Sequence, residues 1–414
     1  MVNTEGERFG QMRGIRTLGR FGAAVALVAW LAAGPAPAGA TPPPVSDWVE
    51  TGEVRFSGTA GFFRSQGLAS DGQSLFFSWN LGLIRTSIDD PSEVLTDNSM
   101  SAIPADLADS GHNHIGDIDI ADGVIYAPIE DGPAHAEPWV VLYDARTLQP
   151  TGDRYLLPVS VQRDGVPWVA VDENRDVLYS MEWNDTGKLF VYGLSDLELI
   201  RTVTLSQPVP RIQGAKIFRG NLYASRDNGP EKSVVAIDPE TGQVTHLFDR
   251  NMGDDYEAEG IAFIRRKTGT VMATTGIREG GQGYTDMHTY RIGGDVTAPV
   301  LSQLRLMPKR ARPGQKLTLK AHSSEAVTAN IRWLKCIGPA RKPCSRSKVL
   351  GVPDTLNLAA GSSKTTLPST YPRTGKKPVR LGPGDWRLSV TPVDGADVTG
   401  PEAVTGLKVL RPRR

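Results

Sequence analysis

The chain has 414 residues, and its 46 Lys and Arg balance its 46 Asp and Glu to a formal net charge of zero. This length exceeds one ordinary domain and predicts two. Apart from one apolar run near the N-terminus, no segment approaches the roughly 20 apolar residues that cross a bilayer, which excludes a transmembrane protein.

The N-terminal forty residues have the three parts of an export signal. Arg13, Arg16 and Arg20 form a positive region, residues 21–33 are apolar, and Ala38-Gly39-Ala40 supplies the small residues that a signal peptidase needs. The sequence therefore predicts a signal peptide over 1–40 and a secreted, extracellular protein, with cell-wall association as a further option.

Charge divides the rest of the chain into two parts. Residues 41–296 contain 20 Lys and Arg and 38 Asp and Glu, a net charge of −18, whereas residues 297–414 contain 22 and 6, a net charge of +16. This asymmetry predicts a domain boundary near 296/297. The acidic part would attract cations and the basic part anionic polymers or membranes, although solvated surface charge is an alternative explanation.

The acidic part contains five copies of one unit. Each copy has a short apolar strand, a tight turn rich in Asp, Gly or Asn, and a second apolar strand, and the copies begin at residues 67, 116, 168, 214 and 260. Third strands follow in most copies, as at 140–143, 189–192 and 234–237. Four strands at a period of about 45–50 residues are typical of β-propeller blades, and the absence of long helical periodicity excludes α/β folds.

The two ends of the repeat region predict how the ring closes. The fifth copy lacks its own outer strand after residues 287–292, and the strand-like segment Trp48–Phe56 precedes the first copy. We expect these ends to pair, because an open ring would leave exposed sheet edges. Five blades fit the count, and six would require one degenerate blade.

Two segments of the repeats carry a family resemblance. Trp168-Val-Ala-Val-Asp-Glu-Asn and Glu259-Gly-Ile-Ala-Phe resemble segments of bacterial secreted propellers of the olfactomedin-like, NHL and gluconolactonase-like groups, over residues 46–296. The resemblance implies the propeller fold. Propellers include lactonases, cyclotransferases, phytase-like esterases and binding modules, so the fold does not select a function.

The basic part resembles a different kind of module. Asp295-Val-Thr-Ala-Pro-Val is similar to the linker that opens bacterial immunoglobulin-like modules, and residues 382–390 and 407–410 resemble their closing strands. The sequence thus predicts a β-sandwich over 297–414 that docks a partner. Its Lys and Arg are dispersed rather than interleaved with aromatic residues, so nucleic acid is not an expected partner. Cys336 and Cys344, eight residues apart, are expected to form a disulfide rather than a metal site.

Strand alternation places two classes of loop on one face of the propeller. Most unusual polar residues fall in or beside these loops, and the opposite face receives only Asp-Gly turns. We therefore expect a polar funnel at one channel mouth, with a ligand-binding set of Gln66, Glu182, Trp183, Arg211, Gln213, Arg226 and Asp227. Arg211 and Arg226 could bind an anionic substrate through bidentate hydrogen bonds.

One cluster on this face contains metal-ligand types, namely His112, His114, Asp117, Asp119, Glu130 and His135. The histidines suit a transition metal, whereas carboxylates alone suit calcium, which is the preferred ion. The alternative is that His112 is a solvated loop residue and the aspartates cap turns.

Acid–base chemistry is a further option for the same face. Glu257 and Glu259 could act as a general acid–base pair, and His114 is a third catalytic candidate. Solvated rim charge is the alternative, and no nucleophile elbow, phosphate loop or zinc-protease helix demands a specific reaction. Two functions remain open. The slightly preferred one is a secreted propeller that binds a small anionic ligand or a cell-surface component through one polar face, with the basic sandwich as a tether to anionic cell-wall polymer. The alternative is a propeller hydrolase or lyase of the esterase, phytase-like or lactonase-like kind that uses the His, Asp and Glu residues of this face, with calcium as an optional cofactor.

Overall fold

The computed structural model describes residues 41–132, 134–184, 187–266, 268–278, 283–337, 344 and 346–412, so the predicted signal peptide lies outside the described residues.

The N-terminal half of the repeat region forms two antiparallel sheets. After β1 (Trp48–Ser57) and the helical turn α1 (Thr59–Phe62), the first sheet contains β2 (Leu68–Ser70), β3 (Ser74–Trp79), β4 (Gly82–Ser87) and β5 (Val94–Asn98). After α2 (Ala105–Asp109), the second sheet contains β6 (His114–Ile115), β7 (Asp119–Ala121), β8 (Val124–Glu130), β9 (Trp139–Asp144) and β10 (Pro150–Leu156). Its innermost strand is split, because β6 and β7 both pair with β8.

Three further sheets follow the same plan. The third contains β11 (Ala170–Asp172), β12 (Val177–Ser180), β13 (Lys188–Gly193) and β14 (Leu199–Thr204). The fourth contains β15 (Ile212–Phe218), β16 (Asn221–Asn228), β17 (Glu231–Ile237) and β18 (Val244–Asp249), and the fifth contains β19 (Tyr256–Arg266), β20 (Gly269–Arg278), β21 (Tyr284–Ile292) and β1.

The five sheets form a ring. Each innermost strand contacts the innermost strand of the next sheet, in the order β2, β7, β11, β15 and β19, and β19 contacts β2 again. Antiparallel sheets arranged radially around a shared axis constitute a β-propeller fold. The predicted closure is confirmed, since β1 pairs antiparallel with β21 from Trp48↔Ile292 to Ser57↔Tyr284.

Burial follows position within each sheet. All four residues of β12 are buried, because neighbouring sheets cover both of its faces, whereas most of the outer strand β10 is exposed. Tight turns join the inner strands on one side of the ring. At Asp122-Gly123 both residues have positive φ (46° and 78°), the geometry of a two-residue hairpin turn that matches the strand twist.

The C-terminal part also consists of β-strands. One sheet contains β22 (Leu301–Met307), β24 (Leu317–Ser323) and β27 (Gly361–Leu367), and a second contains β23 (Arg310–Ala311), β31 (Ala403–Val409), β30 (Gly384–Val393), β25 (Val327–Cys336) and β26 (Ser347–Leu358). Both sheets contribute to one hydrophobic cluster that includes Trp333 and Trp386. A hairpin of β28 (Thr370–Arg373) and β29 (Lys376–Arg380) completes the module, and the predicted disulfide joins Cys336 and Cys344.

A loop of the C-terminal part packs on the propeller. Ala396 and Val398 join the hydrophobic cluster around Trp48, and Arg219 Nη2 of the fourth sheet lies 2.6 Å from Asp397 Oδ1. The domain boundary at 296/297 stays a prediction. No helix among the described residues is long and apolar enough to cross a membrane.

Candidate functional site

The innermost segments approach each other backbone to backbone near the middle of the ring. Four of the five equivalent repeat positions are glycines: Gly67, Gly116, Gly214 and Gly260. A Cβ on Gly67 would lie 2.7 Å from the Asp117 Cα, and one on Gly260 would lie 2.6 Å from the Leu68 N. Glycine is required here because any side chain would collide with the neighbouring sheet.

Asp117 joins three sheets at this level. Its Oδ1 accepts a hydrogen bond from Leu68 N (2.8 Å), and its Oδ2 accepts from Ala215 N (3.0 Å) and from Lys216 Nζ (2.5 Å). The residue is 1% exposed, and burial raises the pKa of its carboxyl to about 7 although the Lys216 charge opposes the shift. Asp117 is therefore a buried structural acceptor, and its hydrogen-bond donors occupy the lone pairs that a metal would need.

Glu130 lies at the centre of a polar cluster on one face. Its Oε1 accepts hydrogen bonds from Trp183 Nε1 (3.0 Å) and Val166 N, and its Oε2 accepts from His114 Nδ1 (3.1 Å). His135 Nδ1 is 3.5 Å from the same Oε2. Burial alone would raise the pKa of Glu130, but the hydrogen bonds and charges of the two histidines lower it to about 2. Both oxygens are occupied by N–H donors, so this cluster does not fit a metal ion.

A chain of hydrogen bonds continues from this cluster to Glu259. His114 Nε2 is 2.8 Å from Gln66 Oε1, and Gln66 Nε2 donates to Glu259 Oε1 (3.3 Å). Glu259 is 2% exposed, and burial followed by the nearby charge of Glu257 raises its pKa well above the usual range. Burial thus favours the neutral, protonated form of Glu259 in the folded protein.

Trp183 lies at the rim of the site. The Arg211 guanidinium lies 5.4 Å from the Trp183 ring centroid, and the His135 ring is 5.8 Å from it. Gln213 Nε2 donates to Glu257 Oε1 (2.8 Å), and Arg211 Nη2 is 3.6 Å from the same oxygen. We call the surface formed by His114, His135, Trp183, Arg211 and Glu257 the Trp183 face.

Three residues of the predicted ligand-binding set have other roles. Glu182 is buried and accepts hydrogen bonds from Arg163 N (2.5 Å) and Asp164 N (3.2 Å), so it caps the neighbouring loop. Asp227 accepts from Ala258 N (2.6 Å), which fastens the fourth sheet to the fifth. Arg226 donates to Pro210 O (3.3 Å) at the edge of the fourth sheet.

Of the six predicted metal ligands, His114, Glu130 and His135 meet in the Glu130 cluster, whereas the other three lie elsewhere. His112 is buried in its own loop, where its ring nitrogens contact Leu107 O and Glu137 O at 3.2 Å each. Asp119 accepts a hydrogen bond from Val171 N (2.8 Å) and lines the opposite mouth of the channel. A strand rises about 3.3 Å per residue, so Asp117 and Asp119, two residues apart on the split innermost strand, lie at different depths along the channel.

The opposite mouth holds a cavity of about 540 Å³. Asp71, Asp119 and Glu173 line it together with Lys216 and Arg265. The sequence predicts only Asp-Gly turns on this side, whereas the structure adds these charged residues to them. Lys216 was missed in the sequence, although a lysine between Ala215 and Ile217 in an apolar strand is the kind of signal that indicates a buried ion pair.

Comparison with protein-family models finds no match, and comparison with curated protein sequences finds none either. Among solved structures the chain is similar to a gluconolactonase from Xanthomonas campestris (15% identity, TM-score 0.35, covering 54% of this chain and 70% of that one). It is also similar to a luciferin-regenerating enzyme (12%, 0.39, 57% and 95%) and to a chain of a nidogen–laminin complex (13%, 0.35, 60% and 88%). At these identities and scores the likenesses carry no argument about function.

Proposed function

We propose that the propeller binds a small anionic ligand on the Trp183 face. The observation that supports this proposal is a difference in exposure between basic and acidic side chains. Those of Arg211 and His135 are 43% and 28% exposed, whereas those of Glu130 and Glu259 are buried. At the rim an approaching ligand meets the Arg211 and His135 cations, beside the Glu257 carboxylate, whose side chain is 30% exposed. Arg211 and His135 also have positive φ (62° and 52°), a backbone strain that is concentrated at functional sites.

The neighbouring groups suit a carboxylate or a phosphate. Arg211 stacks over Trp183 and presents its remaining donors at the rim, and a guanidinium matches both anions bidentately. The Glu130 carboxylate raises the pKa of His135, so that this imidazole carries positive charge over a wider pH range.

The test uses calorimetric titration of the mature chain, residues 41–414, with small carboxylates, phosphate and sugar phosphates. A binding anion should raise the melting temperature by mass action. Arg211→Gln should weaken binding about tenfold or more, because a charge-assisted pair contributes about 1.5–3 kcal/mol. Arg146→Gln, which changes an exposed arginine outside the face, is the matched control. Binding that is equal in the two variants would refute the assignment.

A hydrolase or lyase activity is a second candidate, and the chain Glu130–His114–Gln66–Glu259 favours it. Two proton arrangements satisfy this chain. In one, a protonated His114 donates to Gln66 Oε1 and Gln66 donates to Glu259; in the other, the amide is turned over, donates to a neutral His114, and accepts the Glu259 O–H. The chain can thus hold a proton at His114 or yield it, which is what general acid–base catalysis requires.

This second candidate is tested by turnover of ester, lactone and phytate substrates, with and without EDTA. His114→Asn and Glu259→Gln should abolish turnover while anion binding at Arg211 persists. Activity that survives both substitutions would exclude this chain as the acid–base group, and activity lost with EDTA alone would point to a metal enzyme.

We infer that the five sheets are five blades and that residues 297–414 are an immunoglobulin-like sandwich exported behind the signal peptide. The parallel pairing of β23 with β31, the shared core of the two sheets and the Cys336–Cys344 disulfide support this view. Disulfides persist mainly in oxidising compartments.

The sandwich is proposed to tether the protein to an anionic cell-wall polymer. Arg305 pairs with Lys320 across β22 and β24, and Lys320 pairs with Lys364 across β24 and β27, so three cations lie in one row. All three are exposed, and none forms an ion pair within the described part of the chain. Like charges directly opposite each other destabilise a sheet, and a polyanion along the row would relieve that repulsion.

Retention on anionic resin or isolated cell wall tests the tether. Lys320→Glu with Lys364→Glu should abolish retention, and raising salt should weaken it in the unmodified chain because exposed charges are screened over about 8 Å. Arg146→Glu with Lys188→Glu makes the same charge change on the propeller and should have a smaller effect. Retention insensitive to salt would contradict the electrostatic tether.

A further inference from the structure

Three carboxylates meet where the propeller ends and the C-terminal part begins. Asp295 follows β21, Glu325 lies between β24 and β25, and Asp394 follows β30. One oxygen of each lies within 4.8 Å of the other two. The three residues come from segments far apart in the sequence, so tertiary structure brings them together.

Asp394 carries a buried acceptor without a donor. The residue is 6% exposed, and its Oδ1 accepts hydrogen bonds from Ala396 N (2.8 Å) and Val398 N (2.9 Å). Its Oδ2 is buried and has no hydrogen-bond partner among the described residues. A buried carboxylate oxygen without a hydrogen-bond donor lowers the stability of the fold. This oxygen therefore indicates a ligand that the polypeptide does not supply.

No cation of the described residues compensates these charges. Neither Lys nor Arg lies within ion-pair distance of Asp295, Glu325 or Asp394 in that part of the chain, and Arg219, close by on the propeller, pairs with Asp397 instead. Burial and the neighbouring carboxylates raise the pKa of both Glu325 and Asp394. The three carboxylates therefore repel each other when they are ionised and no cation is bound between them.

We propose that Asp295, Glu325 and Asp394 bind a divalent cation, Ca²⁺, at this junction. The donor set consists of oxygens alone, which suits hard cations, and Ca²⁺ accepts carboxylates in one- or two-oxygen coordination with water completing the shell. This inference is independent of the Trp183 face.

The bound ion would fasten the C-terminal part to the propeller. Residues 394–398 form one loop, in which Ala396 and Val398 pack into the propeller cluster and Asp397 Oδ2 accepts a hydrogen bond from Thr270 Oγ1 (2.8 Å). Asp295 lies three residues after the end of β21 at Ile292. A cation shared by Asp295 and Asp394 links that strand to the base of the docking loop.

The test is calorimetric titration of EDTA-stripped mature chain with CaCl₂. We expect a dissociation constant of about 0.1–1 mM, the range of extracellular calcium modules, and a rise in melting temperature. Asp394→Asn and Glu325→Gln should each weaken binding roughly tenfold or more, because ligand charge sets the affinity. Asp354→Asn, an exposed carboxylate of the same module, is the matched control and should bind normally.

Stability without metal provides a second readout. In EDTA, Glu325→Gln should melt no lower than the unmodified chain, since it removes repulsion. In Ca²⁺, the unmodified chain and Asp354→Asn should gain more stability than Glu325→Gln does. Absence of binding by Ca²⁺, Mg²⁺ and Mn²⁺ to the unmodified chain would overturn the proposal. Binding that is unchanged in both junction variants, or that is lost in Glu130→Gln instead, would also overturn it.

Discussion

Asp117→Ala should lower the free energy of unfolding by about 3–5 kcal/mol. The substitution removes the acceptor of Leu68 N, Ala215 N and Lys216 Nζ, the last at 2.5 Å. Lys216 is 4% exposed, so its charge would stay buried without a partner. Breaking a buried pair on one side costs about 3–5 kcal/mol. Since folded domains are stable by only about 5–15 kcal/mol, the loss is a large part of the margin.

Urea unfolding of residues 41–414, followed by tryptophan fluorescence, measures this loss. Asp117→Ala combined with Lys216→Met should recover part of it, because the double variant buries no lone charge. Glu173→Ala, an exposed carboxylate at the channel mouth that Lys216 also lines, should change stability by less than about 0.5 kcal/mol. A loss below about 1 kcal/mol for Asp117→Ala would refute the role of Asp117 as the joint between sheets.

Three further predictions concern the inner strands and the Trp183 face. In the folded protein the pKa of Glu259 lies well above the unfolded value of 4.5, so the unfolded chain releases this proton first as pH rises. Stability should therefore fall as pH rises above 4.5, and Glu259→Gln should flatten that slope; equal slopes of melting temperature against pH would contradict this. The low pKa of Glu130, about 2, contributes about 3 kcal/mol of stability that is present above pH 4.5 and is lost as pH falls towards 2. Glu130→Gln should remove this acid dependence and lower the raised pKa of His135 in an NMR titration, and an unchanged His135 would argue against their coupling. Gly214→Ala should cost about 1–3 kcal/mol in urea unfolding, since its Cβ would lie 2.7 Å from Asp117 Oδ2, and a neutral effect would mean that the ring can widen.

Local sequence patterns alone predicted much of the architecture. The repeat positions 67, 116, 168, 214 and 260 fall at the level where innermost segments approach, and the unmatched strand Trp48–Phe56 closes the ring. Both features follow from short-range rules: a strand alternates with period two, and an unpaired edge must find a partner. The disulfide follows equally from two cysteines a short loop apart.

The sequence by itself also determined which residue types gather on the Trp183 face, because the order of strands in each sheet fixes the face on which each connecting loop emerges. Only the tertiary structure decided what each residue does there. His112, Asp117 and Asp119 are neighbours in the chain, yet they end in a buried loop, at the centre of the ring and at the opposite mouth. Their partners Leu107, Lys216 and Val171 include residues from other sheets, and hydrogen-bond partners across sheets have no periodicity in the sequence. Long-range packing selects which buried carboxylate obtains a donor, and that selection separates a structural acceptor from a binding group.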